Sequence, residues 1–125
     1  MAPTFRKAER IVSRRLIEQL FTDNYSMAAF PLRAVYQLTG RSAGDEPVQV
    51  LVSVSKKRFR HAVDRNRIKR QVREAYRLHK QVLSDAVPSD KRLLLAFIWL
   101  SDRHLPSAGV SSRVVSLLHR IAEKL

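Results

Sequence analysis

Eight consecutive residues, LLLAFIWL at 93–100, carry no charge, hydroxyl or side-chain amide. The run is far too short to cross a bilayer, which takes about 20 apolar residues, but it has strand length. A strand that is apolar at every position has no face to offer to water. It must lie inside a sheet, covered on both faces. Every other element in this chain of 125 residues must therefore flank or cover that run.

The flanking elements show in the hydrophobic periods. Residues 13–22, SRRLIEQLFT, place Leu16, Ile17, Leu20 and Phe21 on one helical stripe, and Ser13 can cap the free N–H groups. DNYS at 23–26 is turn chemistry. From Leu32 the period becomes two: Leu32, Ala34, Tyr36 and Leu38 point one way, and Arg33, Val35 and Gln37 the other. A Gly-containing polar loop at 39–47 follows, and then Val48, Val50, Val52 and Val54 share a face. Two alternating runs around such a loop predict a hairpin. A basic connector, KKRFRHAVD, leads to a helix opening near Asp64 or Arg65 and running to about Leu83 or Val87. Its expected buried side is Ile68, Val72, Ala75, Tyr76, His79, Val82 and Leu83. PSDK breaks the chain before the apolar run. A last helix over roughly 111–124 would bury Val114, Leu117, Leu118 and Ile121. The order is helix, strand, strand, helix, strand, helix. It predicts an α+β fold over residues 1–125 as one domain, with helices packed on a small sheet.

Charge points to the partner. The net charge is +13, and residues 56–80 alone hold eleven basic residues against two acids, Asp64 and Glu74. On a helix, Arg65, Lys69, Arg73 and Arg77 form one i, i+4 row, which Arg67, Arg70 and Lys80 widen. Like charges at that spacing cost a few tenths of a kcal/mol per pair. Folding offers no reason to accept that cost repeatedly; a polyphosphate partner does, because several Arg forks on a rigid helix match phosphate oxygens. Neither a helix-turn-helix nor a zipper pattern appears, so a DNA reader is disfavoured. Strand aromatics beside a basic helix suit RNA, with Tyr36, Phe97 and Trp99 as candidate stacking groups set against an ordinary core role.

VSVSKKRFRHAVDRNRIKRQVREAYR, residues 52–77, closely resembles the signature of the bacterial ribonuclease P protein subunit. Val54, Ser55 and Lys56 or Lys57 match its front. Ala62, Val63, Arg65, Asn66, Arg67, Lys69, Arg70, Arg73 and Glu74 match the rest. ERIVSRRLIEQLF looks like the family's first helix. Two departures stand out: RFRH replaces a shorter Gly-containing link, and three strands are legible where the family has four, a broken strand near Phe30 or Pro31 supplying the candidate fourth. The resemblance implies the order α-β-β-(β)-α-β-α on a mixed sheet with a left-handed β-α-β crossover. It also implies a cytoplasmic RNA-binding subunit of a ribonucleoprotein endoribonuclease that removes the 5′ leader of precursor tRNA. Its partners would be the catalytic RNA and precursor tRNA, with no membrane and no obligate protein partner evident. Mg²⁺ would act with the RNA, which does the cutting. The basic motif expected to meet RNA is Lys56, Lys57, Arg60, Arg65, Asn66, Arg67, Lys69, Arg70, Arg73 and Arg77. A cleft between the first helix and the sheet would take the leader, with Ile17, Phe21, Tyr36, Phe97 and Trp99 as candidates and Phe21 and Tyr36 foremost.

A protein active site finds little support in the residues. His61, His79, His104 and His119 show no metal-ligand spacing, and the only adjacent acids, Asp45 and Glu46, lie in a loop. There is no cysteine, which excludes disulfides and thiolate chemistry and fits a reducing compartment. MAPTFRKAER lacks a signal peptide's apolar core. Two further readings stay open at this stage: a different basic RNA-binding protein, and a stand-alone metal-dependent nuclease.

Overall fold

The computed structural model describes residues 5–125. The apolar run forms β4 (Lys91–Trp99) in the interior of a four-stranded sheet. The other strands are β1 (Tyr25–Ala29), β2 (Leu32–Gly40) and β3 (Val48–Ser53), and the spatial order is β1-β2-β4-β3. Leu93 to Phe97 are all fully buried, as a strand without a polar face requires.

β4 is antiparallel to β2, with Leu32 opposite Trp99, and parallel to β3, with Val48 opposite Leu93. The expected β2–β3 hairpin therefore does not form. β4 inserts between the two strands, because only there do both backbone edges of this all-apolar strand find hydrogen-bond partners. The turn expected at 23–26 gives way at Tyr25 to β1, which pairs with β2 through Tyr25↔Tyr36 and Ala29↔Leu32, turning at Phe30–Pro31. This is the fourth strand, and it ends where the sequence suggested a break.

Helix α1 (Arg14–Thr22) begins as expected, with the Ser13 hydroxyl accepting from the Leu16 N–H. It lies on one face of the sheet, where Leu20 and Ile11 meet Val35, Leu94 and Ala96. On the other face lie α2 (Ala62–His79), α3 (Gln81–Ala86) and α4 (Ser107–Lys124). Ile68, Val72, Ala75 and Tyr76 of α2 and Val114, Leu117, Leu118 and Ile121 of α4 all enter this larger core. Burying such side chains is worth about 1.5–3 kcal/mol each, against a few tenths for each like-charge pair on the open side of α2. Burial wins, and α2 forms despite its charge.

The long helix expected to Leu83 or Val87 is two helices parted at Lys80. Leu83 returns to the core, and His79, expected on the buried side, is exposed at the end of α2. β3's free edge is covered by the N-terminal segment: the Ile11 N–H donates to the Val50 carbonyl at 3.0 Å. Buried Glu9 secures that segment, accepting from the Arg6 backbone N–H and from Lys80 Nζ. The N-terminal segment thus lies beside α2.

Candidate nucleic-acid interface

The basic connector is not a loose arm. Phe59 is buried and its ring centroid lies 4.8 Å from that of His104. His104 Nε2 in turn lies 3.1 Å from an Asp64 carboxylate oxygen in the first turn of α2. Arg65 folds back on the connector, its Nη1 donating to the carbonyls of Phe59 at 2.9 Å and Arg60 at 3.0 Å. This longer RFRH link therefore has its own anchor, and Lys56, Lys57, Arg58 and Arg60 stand exposed around it.

Because Arg65 is spent on the connector, the expected row Arg65-Lys69-Arg73-Arg77 is not the one that opens to solvent together. A groove of about 460 Å³ is lined instead by Asn66, Arg70, Arg73, Glu74 and Arg77 from α2 and by Phe5 and Arg10 from the N-terminal segment. Lys69 is half-buried and Arg67 exposed, both outside this lining. Asn66 is well inside α2, whose N-cap is His61. It is exposed, so a capping role does not account for it.

The groove's charge is lopsided. Its acid, Glu74, is held by Arg77, with Nη2 to Oε1 at 2.6 Å and Nε to Oε2 at 3.0 Å. Among the described residues, Arg10, Arg70 and Arg73 form no ion pair. Arg10 lies over the Phe5 ring at 5.1 Å, a cation–π arrangement, and Phe5 sits edge-on to Tyr76. Partial burial, and secondarily the charge of Arg10, push the Arg73 guanidinium below its ordinary pKa. Several arginines without a carboxylate, two of them mutually repelling, have the chemistry to hold anionic oxygens.

The aromatic candidates separate by strand parity. Tyr36, Phe97 and Trp99 face α2 and α4, not α1. Phe97 and Trp99 are core, and the Trp99 indole N–H donates to the Arg103 carbonyl at 3.2 Å. Tyr36 is 6% exposed on that same face. These three therefore do not line a cleft between α1 and the sheet. Ile17, half-buried, and Phe21, 44% exposed, remain on the α1 side. The sheet residues on that face include Arg33 and Gln37 of β2 and Ile98 of β4, with the Gln19 amide donating to the Gln37 amide oxygen at 2.9 Å. Sequence patterning alone does not mark Phe5, Arg10, Arg33 or Ile98 as site residues. The alternation that set Arg33 opposite Tyr36 held the signal for one of them; the approach of Phe5 and Arg10 to α2 left none.

Among the described residues no three His, Asp or Glu side chains come together as a metal-ligand set, and no helix is long and apolar enough to cross a membrane.

Comparison with known proteins adds an independent line. A family model described as Ribonuclease P matches residues 5–121. A ribonuclease P protein component from Porphyromonas gingivalis is 42% identical over 123 residues, covering 96% of this chain and 89% of its own. The solved RNase P protein from Thermotoga maritima superposes with a TM-score of 0.68 at 26% identity, covering 90% of this chain and 96% of its own. The Staphylococcus aureus RNase P protein gives 0.67 at 21% identity, over 94% of this chain and 97% of that one, a likeness of fold.

Proposed function

The chain belongs to the ribonuclease P protein family, and from that premise we propose that it binds the catalytic RNA of the enzyme through the α2 groove and the 5′ leader of precursor tRNA on the α1 side of the sheet. Membership makes it a protein component of an endoribonuclease of tRNA 5′ processing. The observation that carries the RNA-binding reading is the convergence of Asn66, Arg70 and Arg73 with Arg10 around a groove whose acid already has a partner. Phosphates enter such a groove without displacing a carboxylate. The exposed cations of the connector, Lys56, Lys57 and Arg60, extend the same surface, and Arg65 contributes by holding the connector in place. On the α1 side, Phe21 offers an open ring, and Arg33 and Gln37 offer donors to a strand of variable sequence.

Chemistry is assigned to the RNA. In this reading Mg²⁺ acts with the RNA, which does the cutting. The protein's part is to hold two anionic strands near each other by neutralising them. The test is reconstitution at low Mg²⁺ with the catalytic RNA and a precursor tRNA. Cleavage is expected only when protein and RNA are both present. Cleavage by the protein alone would replace this reading with that of a nuclease, and no effect of the protein would leave a different RNA-binding role.

A further inference from the structure

The connector before α2 carries the exposed cations Lys56, Lys57, Arg58 and Arg60 almost side by side. Such neighbours repel one another, and a loop that carries them spreads over many conformations unless something fixes it. Of residues 55–60, Phe59 alone is buried. Its N–H donates to the Ser55 carbonyl at 3.1 Å, and the Arg58 N–H donates to the same carbonyl at 3.2 Å. The chain therefore turns tightly, with the Phe59 ring inside and the cations outside.

That ring is met by His104, from the loop over 100–106 that joins β4 to α4. The loop is fixed on either side of the histidine. The Arg103 carbonyl accepts from the Trp99 indole N–H at 3.2 Å, and the Leu105 carbonyl accepts from the Gln71 amide at 3.0 Å. His104 is thus a stiff post, its ring centroid 4.8 Å from that of Phe59. Its Nε2 donates to the Asp64 carboxylate at 3.1 Å, and its Nδ1 is buried. Neither nitrogen is open to a phosphate. What the histidine can do is hold the connector against the start of α2.

We propose that Phe59 and His104, with Asp64, form a clasp that positions the connector for RNA: it sets Lys56, Lys57 and Arg60 in a fixed array before the RNA arrives and touches no RNA itself. The proposal rests on the reading that these cations meet the catalytic RNA. A preordered array binds without the conformational cost of fixing the loop. Fixing the backbone of a single residue costs enough to lower an affinity by about tenfold. That cost involves no counterions, so it is the same at every salt concentration, whereas the loss from a missing phosphate contact shrinks as salt rises.

His104→Ala in the full chain is the test. Amide hydrogen exchange at residues 56–60 of the free protein should quicken, while exchange at 68–76 in α2 stays as in the parent. Binding of the catalytic RNA should weaken about tenfold, equally at 50 and 200 mM monovalent salt, with the slope of log K against log[salt] unchanged. His104→Gln, whose amide N–H can reach Asp64, should recover affinity to within about threefold of the parent. The companion variant, Lys56→Ala with Lys57→Ala, should instead flatten the slope by about 1.4–1.8, the share of two phosphate contacts. If that companion binds as the parent does, the connector does not meet RNA, and the proposal falls with the reading beneath it. If the companion weakens binding and folded His104→Ala does not, the clasp alone is refuted and the reading stands. Connector amides that exchange as in the parent would also refute it, leaving Arg65 as the holder. A flattened slope in His104→Ala would make the histidine a phosphate contact and overturn the proposal. Thermal melts give the folded fraction by which each affinity is corrected. Should His104→Ala fold poorly, Phe59→Leu, which keeps a buried apolar side chain but offers His104 no ring, carries the same test with the same expected outcome.

Discussion

Replacing Arg73 by Ala tests whether the α2 groove binds phosphate, because the expected loss has a salt signature that a packing defect lacks. Arg73 is half-buried in the groove wall, has no ion-pair partner among the described residues, and is held below its ordinary pKa by burial and by Arg10. Each phosphate contact contributes about 0.7–0.9 to the slope of log K against log[salt]. Losing one contact should weaken binding of the catalytic RNA about 8- to 15-fold at 50 mM monovalent salt and only about 3- to 4-fold at 200 mM, with the curves converging towards 1 M. Arg10→Ala should give the same change. If the two arginines share one phosphate, the double variant should lose hardly more than either single, since the second removal finds nothing left to release. Free-protein stability should fall by no more than about 0.5 kcal/mol, as for surface changes generally, because removing Arg73 also relieves its repulsion with Arg10. Filter binding across a salt series, with thermal melts as control, supplies the measurement. An unchanged slope in Arg73→Ala would remove it from the interface. A loss equal at every salt concentration would mean that the side chain matters for shape and that the phosphate argument is wrong.

Four further variants separate binding from packing. Asn66→Ala should keep the melting temperature and weaken RNA binding, as Asn66 is exposed in the groove and caps nothing; a stability loss with normal binding would reverse that assignment. Arg65→Ala should destabilise the protein by about 1–2 kcal/mol, because two connector carbonyls lose a charged donor, and a melt unchanged from the parent would show that the connector holds itself. Phe97→Ala should cost about 3–5 kcal/mol as a core truncation, whereas Phe21→Ala should leave the fold intact and weaken only leader-bearing precursor tRNA, by about 1–3 kcal/mol. Equal losses on precursor and mature tRNA would take Phe21 off the leader path.

How much of this was legible in the sequence depends on whether the deciding interaction was local. The interior position of β4, the Ile68-Val72-Ala75-Tyr76 part of the α2 stripe and the Ser13 cap all follow from residues within a turn or a strand of one another, and all stand in the structure. The hairpin expectation failed, yet the sequence contained its refutation. Only three strands are legible there, and pairing β2 directly with β3 leaves the third, LLLAFIWL, on an edge with one row of backbone groups facing solvent, the one place where an all-apolar strand is a liability. Setting that run between β2 and β3 resolves the conflict, and it is the arrangement found. Tyr36, Phe97 and Trp99 miss the α1 face for a different reason. Parity groups Tyr36 with Leu32 and Ala34, and Phe97 with Trp99, but it does not say which helix covers which face. That choice is made by α1 carrying one compact stripe, centred on Leu20, while α2 and α4 together bring a surface broad enough to cover the face bearing the larger rings. The same division explains the charge pattern of the basic helix. α2 spends its apolar stripe on the larger core and leaves Arg70 and Arg73 on its open side without an acid partner among the described residues. The N-terminal segment, drawn alongside by Glu9 and the β3 edge, adds Arg10 where a structural ion pair would have called for an acid.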